Sequence, residues 1–138
     1  MSYAGDLTPE AAYELLGSDA GAVLVDVRSD PEWRFVGVPD VSAHGKQPLF
    51  VSWRTGAPGA AEAFVAELAA AGVRPDGDTP VVLLCRSGVR SVAAAEALAA
   101  AGAGRAYNVV DGFEGPLDAD GHRGGSGWRA AGLPWRQS

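Results

Sequence analysis

The sequence predicts an α/β fold in which a mostly parallel central sheet is flanked by helices on both faces. Short runs rich in Val, Leu and Ala, at Ala22 to Val27, Pro80 to Leu84 and Ala106 to Val110, are bounded by turn or polar residues and read as buried strands. Between them lie Ala-rich segments, Ala60 to Ala71 and Val92 to Ala101, whose larger apolar residues recur at helical spacing. Strands that are apolar on both faces and alternate with helices form parallel sheets, because crossover helices must cover both sides.

The elements follow in order. Thr8-Pro9-Glu10 opens a first helix, with Thr8 as N-cap and Pro9 in the first turn. Ala11, Leu15 and Leu16 supply its apolar stripe and Gly17 its end. After the strand 22–27, Asp30-Pro31-Glu32 starts a short helix that carries Trp33 and Phe35, both expected to pack in the core. Gly37, Pro39, Gly45 and Pro48 make 37–48 a loop, and Leu49 to Trp53 reads as another strand. In the helix Ala60 to Ala71, the residues Ala60, Phe64, Leu68 and Ala71 share one face, and Gly72 closes it. Pro75-Asp76-Gly77-Asp78 is a turn before the strand 80–84. Val92, Ala95, Leu98 and Ala99 form the core face of the next helix, which Gly102 ends. The tail from Asp111 is rich in glycine and carries Trp128 and Trp135, which read as staples onto the domain.

The chain has 138 residues, 47% hydrophobic and 20% charged, which suits one globular domain over 1–138. Its formal net charge of -6 argues against nucleic-acid binding, which depends on basic side chains that neutralise phosphates. No apolar run is long enough to span a bilayer, and the first residues lack the basic and apolar regions of a signal peptide. A single cysteine excludes an internal disulfide and an in-chain resolving thiol, and it fits the cytoplasm. The two histidines, His44 and His122, lie far from Cys85 in sequence with no carboxylate or thiol at metal-ligand spacing, so a zinc site is not expected.

That one cysteine opens the stretch Cys85-Arg86-Ser87-Gly88-Val89-Arg90-Ser91, between a buried strand and a helix. A loop of this kind presents backbone N–H groups and the positive end of a helix dipole to a thiol or an anion. Helix N-termini and guanidinium groups can lower a cysteine pKa from ~8.5 to ~3.5–7.5. Arg86 and Arg90 bracket the loop, and Gly88 lets it curl. Arg90 stands five positions after Cys85, whereas cysteine phosphatases place their arginine six positions on, where this chain has Ser91. Serine cannot form a bidentate guanidinium clamp on a phosphoryl group, and the shorter loop encloses less space. In open α/β sheets ligands sit at the carboxyl ends of strands, where Cys85 and the Asp26-Val27-Arg28 segment both fall. Asp26 and Arg28, two apart on a strand end, point to the same side and read as an ion pair that supports neighbouring loops; Glu32 reads as a loop anchor. Trp53 and Arg54 are candidates for a pocket mouth, and Lys46 and Arg54 for a basic rim.

Cys85-Arg86-Ser87-Gly88-Val89-Arg90-Ser91 resembles the active-site loop of single-domain rhodanese-like sulfurtransferases. Leu24-Val25-Asp26-Val27-Arg28 with Glu32-Trp33 is similar to their D-x-R and E-W signature, Tyr107 to Phe113 to the strand and turn after the catalytic helix, and Trp128 through Gly132-Leu133-Pro134 to their C-terminal motif. Two departures stand out: where the family often has G-H-I-x-G-A, Gly37 is followed by Val38-Pro39-Asp40-Val41-Ser42 and the histidine is missing, with a long stretch from Gly37 to Gly59; and Asp111-Gly112-Phe113 replaces G-G-F.

The resemblance implies a rhodanese-type enzyme, similar to thiosulfate:cyanide sulfurtransferases, that needs no metal or organic cofactor. Cys85 would be the catalytic persulfide carrier. Arg86, Ser87, Gly88, Val89, Arg90 and Ser91 would bind a small anionic sulfur donor, and the acceptor would be a thiol, cyanide or a protein. Two alternatives remain at this point: a noncatalytic rhodanese-like binding or regulatory module, and a cysteine phosphatase or arsenate reductase.

Overall fold

The computed structural model describes residues 3–74 and 77–137. Elements succeed one another as β1 (Gly5–Leu7), α1 (Pro9–Ser18), β2 (Val23–Asp26), α2 (Asp30–Phe35), β3 (Val38–Pro39), a 3-10 turn (Ser42–His44), β4 (Leu49–Phe50), α3 (Ala60–Ala70), β5 (Val81–Leu84), α4 (Val89–Ala100), β6 (Ala106–Val109) and β7 (Trp135–Arg136). A five-stranded sheet runs in the order β1-β6-β5-β2-β4, and every pair in it is parallel. The expected α/β architecture with helices on both faces is therefore observed.

The period of two in the central strands decides which core each residue enters. Val81 and Leu83 of β5 pack with Val25 of β2 against Phe64 and Leu68 of α3 and Ala94, Ala95 and Leu98 of α4. Val82 and Leu84, with Leu24, face the opposite side and meet Ala12 and Leu16 of α1 together with Phe113 and Trp128 of the tail. The tail thus completes the second layer. Trp128 is fully buried, and its indole N–H donates to the Pro134 carbonyl at 2.7 Å.

Several expectations need correction. β1 went unread because three residues beginning with glycine carry no periodicity; they are ordered by pairing with β6. The segment 37–48 is not wholly loop: Val38–Pro39 pairs antiparallel with Trp135–Arg136. β4 stops at Phe50, although Val51 and Trp53 still donate to carbonyls of Asp26 and Val27. In α1 the buried stripe is Ala12 and Leu16, and Ala11 is exposed. Thr8 does cap this helix, accepting from the Ala11 amide at 3.1 Å. Gly17 lies inside it, because a Cβ there would come within 2.5 Å of the His44 ring, which also stacks on Tyr13. Ala71, expected on the core face of α3, is exposed. Phe35 is 77% exposed rather than core, and Trp33 is half-buried against Phe50. Of the turn at 75–78, Pro75 and Asp76 lie outside the described residues, as do Met1 and Ser2 of the N-terminal segment.

Candidate active site

β5 delivers Cys85 to the carboxyl edge of the sheet, between its parallel neighbours β2 and β6. The thiol is 1% exposed and packs at the end of the core beneath α4. The chain then curls over it. The carbonyl of Cys85 accepts from the Phe113 amide at 2.8 Å, and that of Arg86 from the Glu114 and Gly115 amides at 3.0 and 3.2 Å. Trans peptides carry C=O and N–H on opposite sides. With the carbonyls turned to 113–115, the amides of Arg86 and Ser87 point away from that segment. The Gly88 amide completes the turn and donates to Cys85 Sγ at 3.0 Å. The curl has the form of a nest, and the Gly88 N–H is the group that reaches the sulfur.

Gly112 makes this brace possible. It has φ 60°, and a Cβ there would lie 2.3 Å from the Cys85 carbonyl oxygen. Gly112→Ala is expected to push the loop away and to cost about 1–3 kcal/mol of stability; denaturant titration checks it, and an unchanged midpoint would contradict the brace.

Gly88 has φ 101° and caps α4, which begins at Val89. Helix thus starts three residues earlier than the sequence reading placed it, and Val89, Arg90 and Ser91 belong to its first turn rather than to a free loop. Val89 is 75% exposed, and Arg86 is also exposed. Arg90 folds back from the helix to Glu32 on α2, with Nη1 and Nη2 donating at 2.7 and 2.9 Å. This fork engages the guanidinium that was a candidate for holding a donor anion, and it makes Glu32 the anchor of the loop.

Burial acts to raise the Glu32 pKa, but hydrogen bonds from Arg90 and from the Ser29 hydroxyl and amide outweigh it and bring the value from 4.5 to about 2. The Glu32 hydrogen bonds hold Arg90 above its usual value against the opposing effect of burial, and the nearby Cys85 and Asp26 add to the rise. A carboxylate whose pKa falls on folding adds stability that is full above about 4.5 and is lost as pH drops towards 2. The stability difference between the wild type and Glu32→Gln should therefore shrink over that window; thermal melts against pH would show it, and a constant difference would count against the pairing.

Ser91 is fully buried beneath the thiol, with its Oγ 3.2 Å from Cys85 Sγ. Its hydroxyl donates to Asn108 Oδ1 on β6, whose Nδ2 donates to Asp6 Oδ1 on β1 at 3.0 Å. The Tyr3 hydroxyl donates to the same carboxylate at 2.8 Å. Asn108 and Asp6 escaped the sequence reading. Their signal was slight: an Asn in an otherwise apolar central strand, and an Asp on a strand that was itself unread.

Asp26 and Arg28 lie at the end of β2, both with no exposed surface, and pair through three contacts of 2.7 to 3.2 Å. Arg28 also donates to the Gly37 carbonyl at 2.8 Å, and its guanidinium lies 4.3 Å from the Phe113 ring centroid. The pair thereby ties β2 to the segment that braces the cysteine loop. Trp53 is half-buried and packs edge-on against Phe64 of α3 at the margin of the core. Lys46 is no rim residue: its ammonium donates to the carbonyls of Leu16 and Asp19 at the end of α1. Arg54 is exposed, and no contact ties it to Cys85. Among the described residues no group of His, Cys, Asp and Glu is placed to hold a metal, and no helix is long and apolar enough to cross a membrane.

A family model described as the STR4 middle domain matches residues 5–138. An uncharacterized protein of Rickettsia rickettsii is 34% identical over 91% of each chain. The chain is 31% identical to rhodanese-like domain-containing protein 4, chloroplastic, of Arabidopsis thaliana, across 90% of its own length and 24% of that protein. Among solved structures, the crystal structure of Rv0390 from M. tuberculosis is 53% identical with a TM-score of 0.85, covering 99% of this chain and 100% of that one. The polysulfide-sulfur transferase homodimer of Wolinella succinogenes is 29% identical with a TM-score of 0.66, covering 96% of this chain and 77% of that one. A parallel five-stranded sheet closed by a tail that braces the cysteine loop is thus a rhodanese-like fold, and the chain belongs to the STR4 middle-domain family.

Proposed function

We propose that the protein is a sulfurtransferase that carries a sulfane sulfur on Cys85. The observation that supports this most is the hold on the sulfur at the turn: the Gly88 amide donates to Cys85 Sγ at 3.0 Å, while the Cys85 and Arg86 carbonyls are taken up by residues 113–115. An N–H group fixed in advance stabilises an anion that forms beside it. The Cys85 thiolate attacks the outer sulfur of a donor such as thiosulfate. A new S–S bond forms, the donor's S–S bond breaks, and sulfite leaves with the electron pair. The terminal sulfur of the resulting persulfide is then attacked by a thiolate or cyanide, and Cys85 leaves as thiolate. Two easy displacements replace one difficult transfer.

The near-complete burial of Cys85 favours a donor whose reactive sulfur stands at the end of a narrow group, as in thiosulfate or a polysulfide. The likeness to a polysulfide-sulfur transferase agrees with that class. Arg86, exposed at the loop, is the arginine placed to meet the anionic end, since Arg90 is engaged by Glu32. Single-domain organisation over 1–138 and a cytoplasmic setting belong to the same proposal. A phosphatase reading fits poorly, because the loop passes into helix at Val89 with Arg90 turned to Glu32. Intact mass after incubation with thiosulfate tests the proposal. A gain of one sulfur atom that cyanide removes is expected; an unchanged mass with both thiosulfate and polysulfide would overturn it.

A further inference from the structure

The hydrogen bonds that run from Cys85 to the first strand have only one self-consistent direction. As a carboxylate, Asp6 accepts and cannot donate. The Asn108 group facing it, 3.0 Å away, must therefore be the Nδ2 amide, which leaves Oδ1 facing Ser91. An amide oxygen only accepts, so the single Ser91 proton goes to Asn108. Ser91 then offers lone pairs, and not a proton, to the sulfur 3.2 Å away. A Cys85 thiol satisfies that contact by donating S–H; a thiolate does not. Asn108 is 4% exposed and Ser91 fully buried, so water is a poor substitute within the chain.

We propose that Asp6 and Asn108 are positioning residues: acting through Ser91, they hold resting Cys85 as a hydrogen-bond-donating thiol, and ionisation requires the Ser91 hydroxyl to turn from Asn108 to the sulfur. The proposal rests on the reading of Cys85 as the nucleophile. Its consequence is a restrained thiol, protected from indiscriminate electrophiles until a donor occupies the nest. The same turn serves the persulfide, whose inner sulfur also lacks a proton. The other charged groups near the sulfur, Arg90 on α4 with Glu32 on α2 and Asp26 at the end of β2, take no part in this chain. At its outer end Asp6 meets the Tyr3 hydroxyl, with Glu96 of α4 nearby.

Alkylation of Cys85 by iodoacetamide tests this, and it is clean because the protein has one cysteine. In Asp6→Asn the amide at position 6 can donate to a flipped Asn108, which then donates to Ser91 and releases the serine proton to the sulfur. The near-neutral rate should rise about three- to tenfold, the worth of one hydrogen bond, while the rate in alkaline solution, where all thiol is ionised, stays the same. Asn108→Ala keeps the Asp6 charge and should give the same rise, which separates hydrogen-bond direction from simple loss of a negative charge. In a Ser91→Ala background, Asp6→Asn should have no further effect. Unchanged near-neutral rates in Asn108→Ala, or an Asp6→Asn effect that persists without Ser91, would overturn the proposal. Alkylation needs no sulfur donor, so failure of the sulfurtransferase reading would show separately, as absence of a persulfide in the wild type.

Discussion

Cys85→Ser is expected to lower thiocyanate formation from thiosulfate and cyanide by at least about a thousandfold, because loss of a nucleophile removes the covalent route altogether. A serine hydroxyl can take over the Gly88 amide bond and the contact with Ser91, so the loop keeps its polar partners. It cannot form a persulfide. Far-ultraviolet circular dichroism and the melting temperature should stay close to wild type, since the change replaces one small buried atom by another. The pairing of lost turnover with a preserved fold is the informative result. Retained turnover would remove Cys85 from the mechanism, and loss of both would leave only a packing role.

Arg28→Met is expected to produce the largest loss of stability. Asp26 and Arg28 have no exposed surface, and their bidentate pair is the means by which a carboxylate is tolerated in the core at the end of β2. Removing the cation alone leaves an uncompensated buried charge, which costs about 3–5 kcal/mol. Total stability for a domain of this kind is about 5–15 kcal/mol, so the variant should unfold at a markedly lower denaturant concentration. The guanidinium also covers the Phe113 ring and holds the Gly37 carbonyl, so the loss spreads towards the loop brace. Asp26→Leu together with Arg28→Met should recover much of the deficit, because no lone charge remains. If the double variant were no better than the single one, packing and not charge would be the cause.

The contrast between these two sites shows what could be read in advance. Cys85 and the Asp26–Arg28 pair were legible because each is a local relation: a loop between strand and helix, and two side chains on the same side of one strand. The N-cap at Thr8 was legible for the same reason. Glu32 and Arg90 lie 58 positions apart, and Asp6 and Asn108 lie 102 apart. Their meeting is decided by the strand order β1-β6-β5-β2-β4, which no window of sequence contains. The start of α4 was placed late because Arg90 and Ser91 look like loop residues. In fact Arg90 serves α2 and Ser91 serves β6, and the helix begins above both. The exposure of Phe35 has a similar origin: on a helix as short as Asp30–Phe35 there is no periodicity to say which aromatic turns inward.

The cysteine loop owes its shape to main-chain carbonyls gripped by Phe113, Glu114 and Gly115, whereas the side chains of Arg86 and Val89 stand in solvent. The shape of the loop and the side chains on its outer face are therefore set independently. A change at position 89 alters the outward face of the loop and leaves the main-chain grip beneath it untouched. Changes at position 112, by contrast, would disturb every partner at once. The outward face of the loop is thus the part free to diverge, and the backbone that shapes it is the part that is not.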